Sequence, residues 1–178
     1  MEVIVGVGDT GCKIADCLKK EDNYETYKIN SSVRGNRTLS LTNKNSIQEY
    51  ESVALNRKKK INDLFEDVTE EDSVTVVLSG ADNPSGAALV ILELLRDKTD
   101  SLEVLYIRPD RGFMPKQKKD NDSFISGVLQ EFARSGSIEK IYLVDVAKIE
   151  NIMGEVPLAE YDDRLHDLIA STTNLVKF

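Results

Sequence analysis

Soft metal ligands are scarce in this chain: two cysteines and one histidine in 178 residues, and no tryptophan. That set is too small for a structural zinc site, and no metal-ligand spacing occurs. Cys12 and Cys17 lie close together at the start of one predicted helix, a poor geometry for a disulfide. Free thiols fit a reducing, cytoplasmic-type compartment. The single histidine, His166, falls in a predicted amphipathic helix, where it reads as a surface or satisfied residue rather than a catalyst. Long apolar runs are also missing, so no membrane span is expected. The N-terminus opens directly on a strand pattern, with no basic segment and apolar signal core. Basic charge is in deficit, with 23 Lys and Arg against 31 Asp and Glu and a net charge of −8. A general nucleic-acid surface needs the opposite balance. Two short basic runs, "NRKKK" (56–60) and "KQKK" (116–119), read as solvated faces or loops.

What is present is an ordinary globular composition, 40% hydrophobic and 30% charged, of a length that suits one domain. A chain this long buries about 70% of its unfolded surface. Strand patterns at 2–7, 24–30, 37–42, 73–79, 102–109 and 138–145 alternate with helix patterns at 11–19, 46–66, 87–97, 121–135, 146–154 and 161–178. The helix at 121–135 is expected to turn Phe124, Ile125, Val128, Leu129 and Phe132 inward. The alternation, with continuous apolar runs in the central strands, predicts an α/β fold: a three-layer α/β/α domain with a mostly parallel sheet. Ligands in such folds sit beyond the carboxyl ends of the strands. The loops to watch are therefore 6–12, 30–36, 80–86, 109–116 and 145–147, with 109–120 as the expected mobile segment.

Two strand-to-helix turns carry glycines. In "VIVGVGDTGCKIADCL" (3–18), Gly6, Gly8 and Gly11 fall at G-x-G-x-x-G spacing. Glycines allow close approach of backbone N–H groups to an anion, and the helix start adds its partial positive charge. Two features oppose a dinucleotide site. The second strand ends "KINSS" without an acid for a ribose, and Asp9 places a carboxylate inside the supposed phosphate loop. The second turn is "SGADNPSGAA" (79–88), in which Asp82 or Asn83 can cap the following helix and Pro84 suits its first turn. Side by side, the two turns would line one anion pocket.

The whole chain resembles the nucleotide-binding domain of the tubulin/FtsZ superfamily, especially its plasmid and phage branch. "VIVGVGDTGCKIADCL" is similar to the first nucleotide loop, and "YKINSS" to the second strand and its loop. "VTVVLSGADNPSGAALVILELLRD" is similar to the strand, glycine-rich signature loop and helix that follow. "LEVLYIRP" and "IEKIYLVDVAKIENIMGEVPLAEYDDRLHDLIAST" match the later strands, the short helix and the opening of the central helix. The resemblance implies GTP or GDP, with Mg²⁺ as a bridging ion. Its contacts would be Gly8, Asp9, Thr10, Gly11, Cys12, Gly80, Asn83, Ser85, Gly86, Asp145, Tyr161 and Asp163. The signature loop is eroded: only Gly80 and Gly86 remain of its glycines, and Pro84 removes an N–H. No counterpart of the family's ribose-binding glutamate is found at 110–120.

The resemblance further implies one domain, 1–178, that ends at the central helix without the catalytic loop or second domain. Two functions follow from this, and a third reading stands apart from it. One is a degenerate domain that no longer hydrolyses GTP, holds no cofactor, and serves in self-association or in an assembly with another protein, cytoplasmic or virion-associated. Another is a GTP- or GDP-binding cytomotive protein, or the fragment of a GTPase whose catalytic loop lies outside this chain. The third is an unrelated dinucleotide oxidoreductase using residues 6–11, for which no acid/base chemistry is supplied.

Overall fold

In a computed structural model, which describes residues 1–21 and 23–177, six strands form one parallel sheet. They are β1 (Glu2–Val7), β2 (Tyr24–Asn30), β3 (Thr38–Ser40), β4 (Ser73–Ser79), β5 (Ser101–Arg108) and β6 (Lys140–Asp145). Their order is β3-β2-β1-β4-β5-β6. Seven α-helices accompany them: α1 (Gly8–Leu18), α2 (Ile47–Asn56), α3 (Lys58–Leu64), α4 (Ala88–Arg96), α5 (Lys116–Arg134), α6 (Val146–Met153) and α7 (Tyr161–Lys177). The architecture is the expected α/β sandwich. None of the described helices is long and apolar enough to cross a membrane.

Alternation along each strand sends side chains to two cores. Val3, Val5, Val76, Leu78 and Val104 pack under α2 to α5. Ile4, Val77, Leu105 and Ile107 pack under α1, α6 and α7. The central strands are buried on both faces, which is why β1, β4 and β5 read as largely apolar runs, interrupted inside the sheet by the buried Thr75 and Glu103. The chain runs outward from β1 through β2 to β3, then returns to β4 on the other side of β1. The carboxyl ends of β1 and β4 therefore flank the switch point where such sheets hold ligands.

Several boundaries differ from the sequence expectations. α1 begins at Gly8, directly after β1, so most of the expected loop 6–12 is helix. Gly8 makes this abrupt entry possible with φ of +76°. The expected helix 46–66 is two helices, broken at Arg57, whose guanidinium donates to the Ser40 carbonyl at 2.6 Å. β3 is shorter than 37–42, and Arg37 before it has φ of +55°. α5 starts at Lys116, which confines the loop after β5 to 109–115 and places the last five residues of the segment expected to be mobile in a helix. Its polar first turns hide the helical period. The phase is set by Asp122, Ile125 and Leu129, leaving Phe124 44% exposed rather than inward.

Candidate functional site

At the switch point the backbone N–H of Thr10 donates to the Asp82 carboxylate at 2.9 Å. Asp82 therefore caps α1 and makes no side-chain cap to its own turn, contrary to the expectation that it would cap the following helix. A Cβ built on Gly8 would lie 3.1 Å from the Asp82 Cβ and 3.3 Å from its Oδ2, so a bare glycine is what lets the acid sit over the helix start. Burial pushes the Asp82 carboxyl above its usual range; bonds from Thr10 oppose the shift, Asp9 reinforces it, and Lys118 opposes it from a distance. The position where a helix start attracts an anion is held by the protein's own carboxylate.

The second turn is a short 3-10 segment, Asn83–Ala87, leading into α4. Ser85 is fully buried and donates to the Ser79 carbonyl at 2.5 Å. Asn83 donates to the Asn45 carbonyl at 3.1 Å and accepts from Asn121 at 3.2 Å. The two glycines expected to cradle phosphate are packing glycines. A Cβ on Gly86 would strike the Ile47 carbonyl, and one on Gly80 the Tyr106 hydroxyl. Gly11 is the same case, set against the Val77 carbonyl of β4.

Four of the other expected contacts, Cys12, Asp9, Asp145 and Tyr161, are also engaged internally. The Cys12 thiol donates to the Gly6 carbonyl at 3.4 Å and is pushed up to about 12 by burial, so it stays a thiol. Asp9 accepts from the Asn30 amide at 2.6 Å. Asp145 caps α6 by accepting from Ala147 at 3.1 Å. The Tyr161 hydroxyl bonds Glu150, and burial raises it to about 12. Asp163 borders a depression beside Lys13 and Asp16 instead of the carboxyl edge of the sheet.

Two hollows meet at Asp9 and Ala81. One, of about 320 Å³, lies between the strand ends, α6 and the start of α7, and is bordered by Thr10, Asp110, Glu150, Tyr161, Asp162 and His166. The other, of about 220 Å³, is bordered by Asn30, Lys44, Tyr50, Asp82, Asn83 and Lys118. Asp9, Thr10 and Tyr161 thus face the first and Asp9 and Asn83 the second. Gly8, Gly11, Cys12, Gly80, Ser85, Gly86, Asp145 and Asp163 border neither. Sequence reasoning missed Asp110, Glu150, Asp162 and Lys118, because only tertiary placement brings them to this edge. Arg111, in the loop after β5, is bound to Ser123 at 3.2 Å and to the buried Asp122 at 3.4 Å.

The arrangement does not fit a nucleoside triphosphate. The Thr10 N–H is already satisfied, the Ser85 hydroxyl points inward, and the larger hollow presents four carboxylates against one ammonium, Lys13. Among the described residues no cluster of three His, Cys, Asp or Glu could hold a metal ion to offset them.

No protein-family model matches the chain, and no curated protein matches it. Solved structures do. A structure described as CetZ from Methanosaeta thermophila strain DSM 6194 superposes on 99% of the chain with a TM-score of 0.80 at 16% identity. The match covers 54% of that structure, so the chain spans about half its length. A short chain dehydrogenase family protein from Francisella tularensis subsp. tularensis SCHU S4 aligns over 75% of the chain and 61% of its own at 11% identity, with a TM-score of 0.44, on which nothing rests. The strand order, the helix layers and the superposition over nearly the whole chain identify a tubulin/FtsZ-like fold.

Proposed function

We propose that the chain is a tubulin/FtsZ-like domain whose nucleotide cradle is closed from within, and that it works as an assembly component through protein contacts instead of by hydrolysing GTP. The observation that carries this is the Thr10 N–H donated to the buried Asp82 carboxylate, at the point where a phosphate would need that donor. A carboxylate there opposes a phosphate twice, by occupying the donor and by like charge. The partner is another copy of the chain or a second protein of the same assembly.

The test is a thermal-shift titration of the full chain with GTP, GDP and ATP, each with Mg²⁺. A ligand that binds only the folded state adds about 2.7 kcal/mol at a hundredfold excess over its dissociation constant. The wild-type chain is expected to show no guanine-selective shift. A saturable shift with GTP or GDP, or measurable GTP turnover, overturns the proposal.

A second possibility, that the domain binds GTP or GDP, is favoured by one observation. The two hollows adjoin at the start of α1, and Lys44 and Lys118 border the smaller one. In that case Asp82→Ser, which removes the competing charge, strengthens an already measurable guanine-selective shift.

A further inference from the structure

The larger hollow at the carboxyl edge of the sheet has the opposite electrostatic character to a phosphate site. Asp9, Asp110, Glu150 and Asp162 border it, with Lys13 as the one cationic side chain. Its inner wall is apolar, formed by Ile107, Pro109, Val146, Leu165 and Ile169, and the Tyr161 ring stands at its margin. A second feature is independent of the acids. His166 is 8% exposed and borders the hollow, yet it makes no hydrogen bond among the described residues. Its nitrogens are not sealed in the core, because among the described residues the Tyr27 hydroxyl is the one sealed side-chain polar atom without a partner. The residue borders both this hollow and the adjoining depression beside Asp163.

We propose that this hollow binds a protonated amine or guanidinium carried on an apolar stem, with Asp162 and Glu150 as its carboxylate partners and His166 as a hydrogen-bond acceptor. The chemistry is complementary at each end. The stem lies on the apolar wall, the charged head meets carboxylates, and the Tyr161 face offers a cation–π contact. Burial and Lys13 hold the imidazole below its usual pKa, so at neutral pH it is uncharged and keeps one nitrogen free to accept. The cation comes either as a small organic molecule or as a Lys or Arg side chain of a second copy. The inference does not depend on the state of Asp82, so it stands or falls apart from the closed cradle.

Agmatine, a guanidinium on a short alkyl stem, is the probe. It is titrated into the full chain at constant ionic strength, while NMR follows the His166 ring protons and sedimentation velocity follows self-association. The expected result is a saturable shift of the His166 resonances, weakened about tenfold in Asp162→Asn and again in Glu150→Gln. Tetramethylammonium, which keeps the charge and the cation–π contact but cannot donate a hydrogen bond, is expected to bind about tenfold more weakly than agmatine. If the occupant is a side chain of a second copy, agmatine also dissociates the sedimenting oligomer; if it is a small molecule, the sedimentation is unchanged. The proposal is overturned if agmatine moves neither the His166 resonances nor the oligomer, or if both variants bind it as the wild type does. It is also overturned if GTP with Mg²⁺ moves those resonances and agmatine does not. A thermal shift by GTP alongside agmatine binding would end the closed-cradle proposal and leave this one standing.

Discussion

The Asp82 carboxylate is held by opposed forces. Burial penalises its charge, while the Thr10 N–H and the start of α1 favour it. Burial prevails, so the folded-state pKa lies above the unfolded value. The folded protein then binds a proton that the unfolded chain releases, and its stability relative to a non-titrating variant rises as pH falls through the folded pKa toward the unfolded value. Asp82→Asn keeps the shape and an acceptor for Thr10 but cannot titrate. The stability of this variant minus that of the wild type is therefore expected to shrink as pH falls from neutral to about 4, measured by urea denaturation. A difference that widens on acidification would mean that hydrogen bonding outweighs burial. The role of Asp82 was only half legible. Its position after β4 marks it as a cap, but local sequence points to the next helix, and only the fold supplies α1 as its partner.

At the scale of elements, the first glycine turn serves packing. Gly6 and Gly11 bring α1 against β1 and β4, and Gly8 turns the chain between strand and helix. A methyl group at Gly11 would collide with the Val77 carbonyl, a rigid backbone atom. Gly11→Ala is expected to cost about 3 kcal/mol or more, read as a fall in the denaturant midpoint, because strand and helix must separate to admit it. A loss below about 1 kcal/mol would show that α1 can shift on the sheet. The G-x-G-x-x-G spacing was visible in the sequence, but the same spacing serves an anion cradle or a close helix-to-strand contact. α5 gives the complementary case. Its first turns carry Lys, Gln and Asp without apolar period, so its true start emerges from contacts such as Asp122 with Arg111 and Tyr106.

Across the whole molecule, the far end of α7 is pinned to the amino edge of the sheet by a buried charge network. Lys177 reaches Glu103 at 2.9 Å, Glu2 at 3.1 Å and the Thr75 hydroxyl at 2.5 Å. Burial alone would lower its pKa, but the two carboxylates prevail and raise it. The contribution is fully present below the unfolded value of about 10.4 and is lost as pH rises through the folded one. Lys177→Met leaves Glu103 buried without its main partner and is expected to cost about 3–5 kcal/mol. Adding Glu103→Gln should recover much of that loss, as judged by thermal unfolding. If the single variant is as stable as the wild type, α7 is held by its apolar face alone, through Leu165 and Ile169.

The order of strands and helices, their layering and the two strand-to-helix turns were determined by the sequence itself. Each rests on period and punctuation over a few neighbouring residues: runs rich in β-branched and aliphatic residues for β1, β4 and β5, glycine after β1, and Pro84 before α4. The tertiary structure alone decided what occupies the turns. Whether Thr10 faces an anion or Asp82, and whether Glu150, Asp162 and His166 share a hollow, depends on residues far apart in the chain. Such pairings leave no local pattern, because burial and charge balance are sums over everything that the fold brings near.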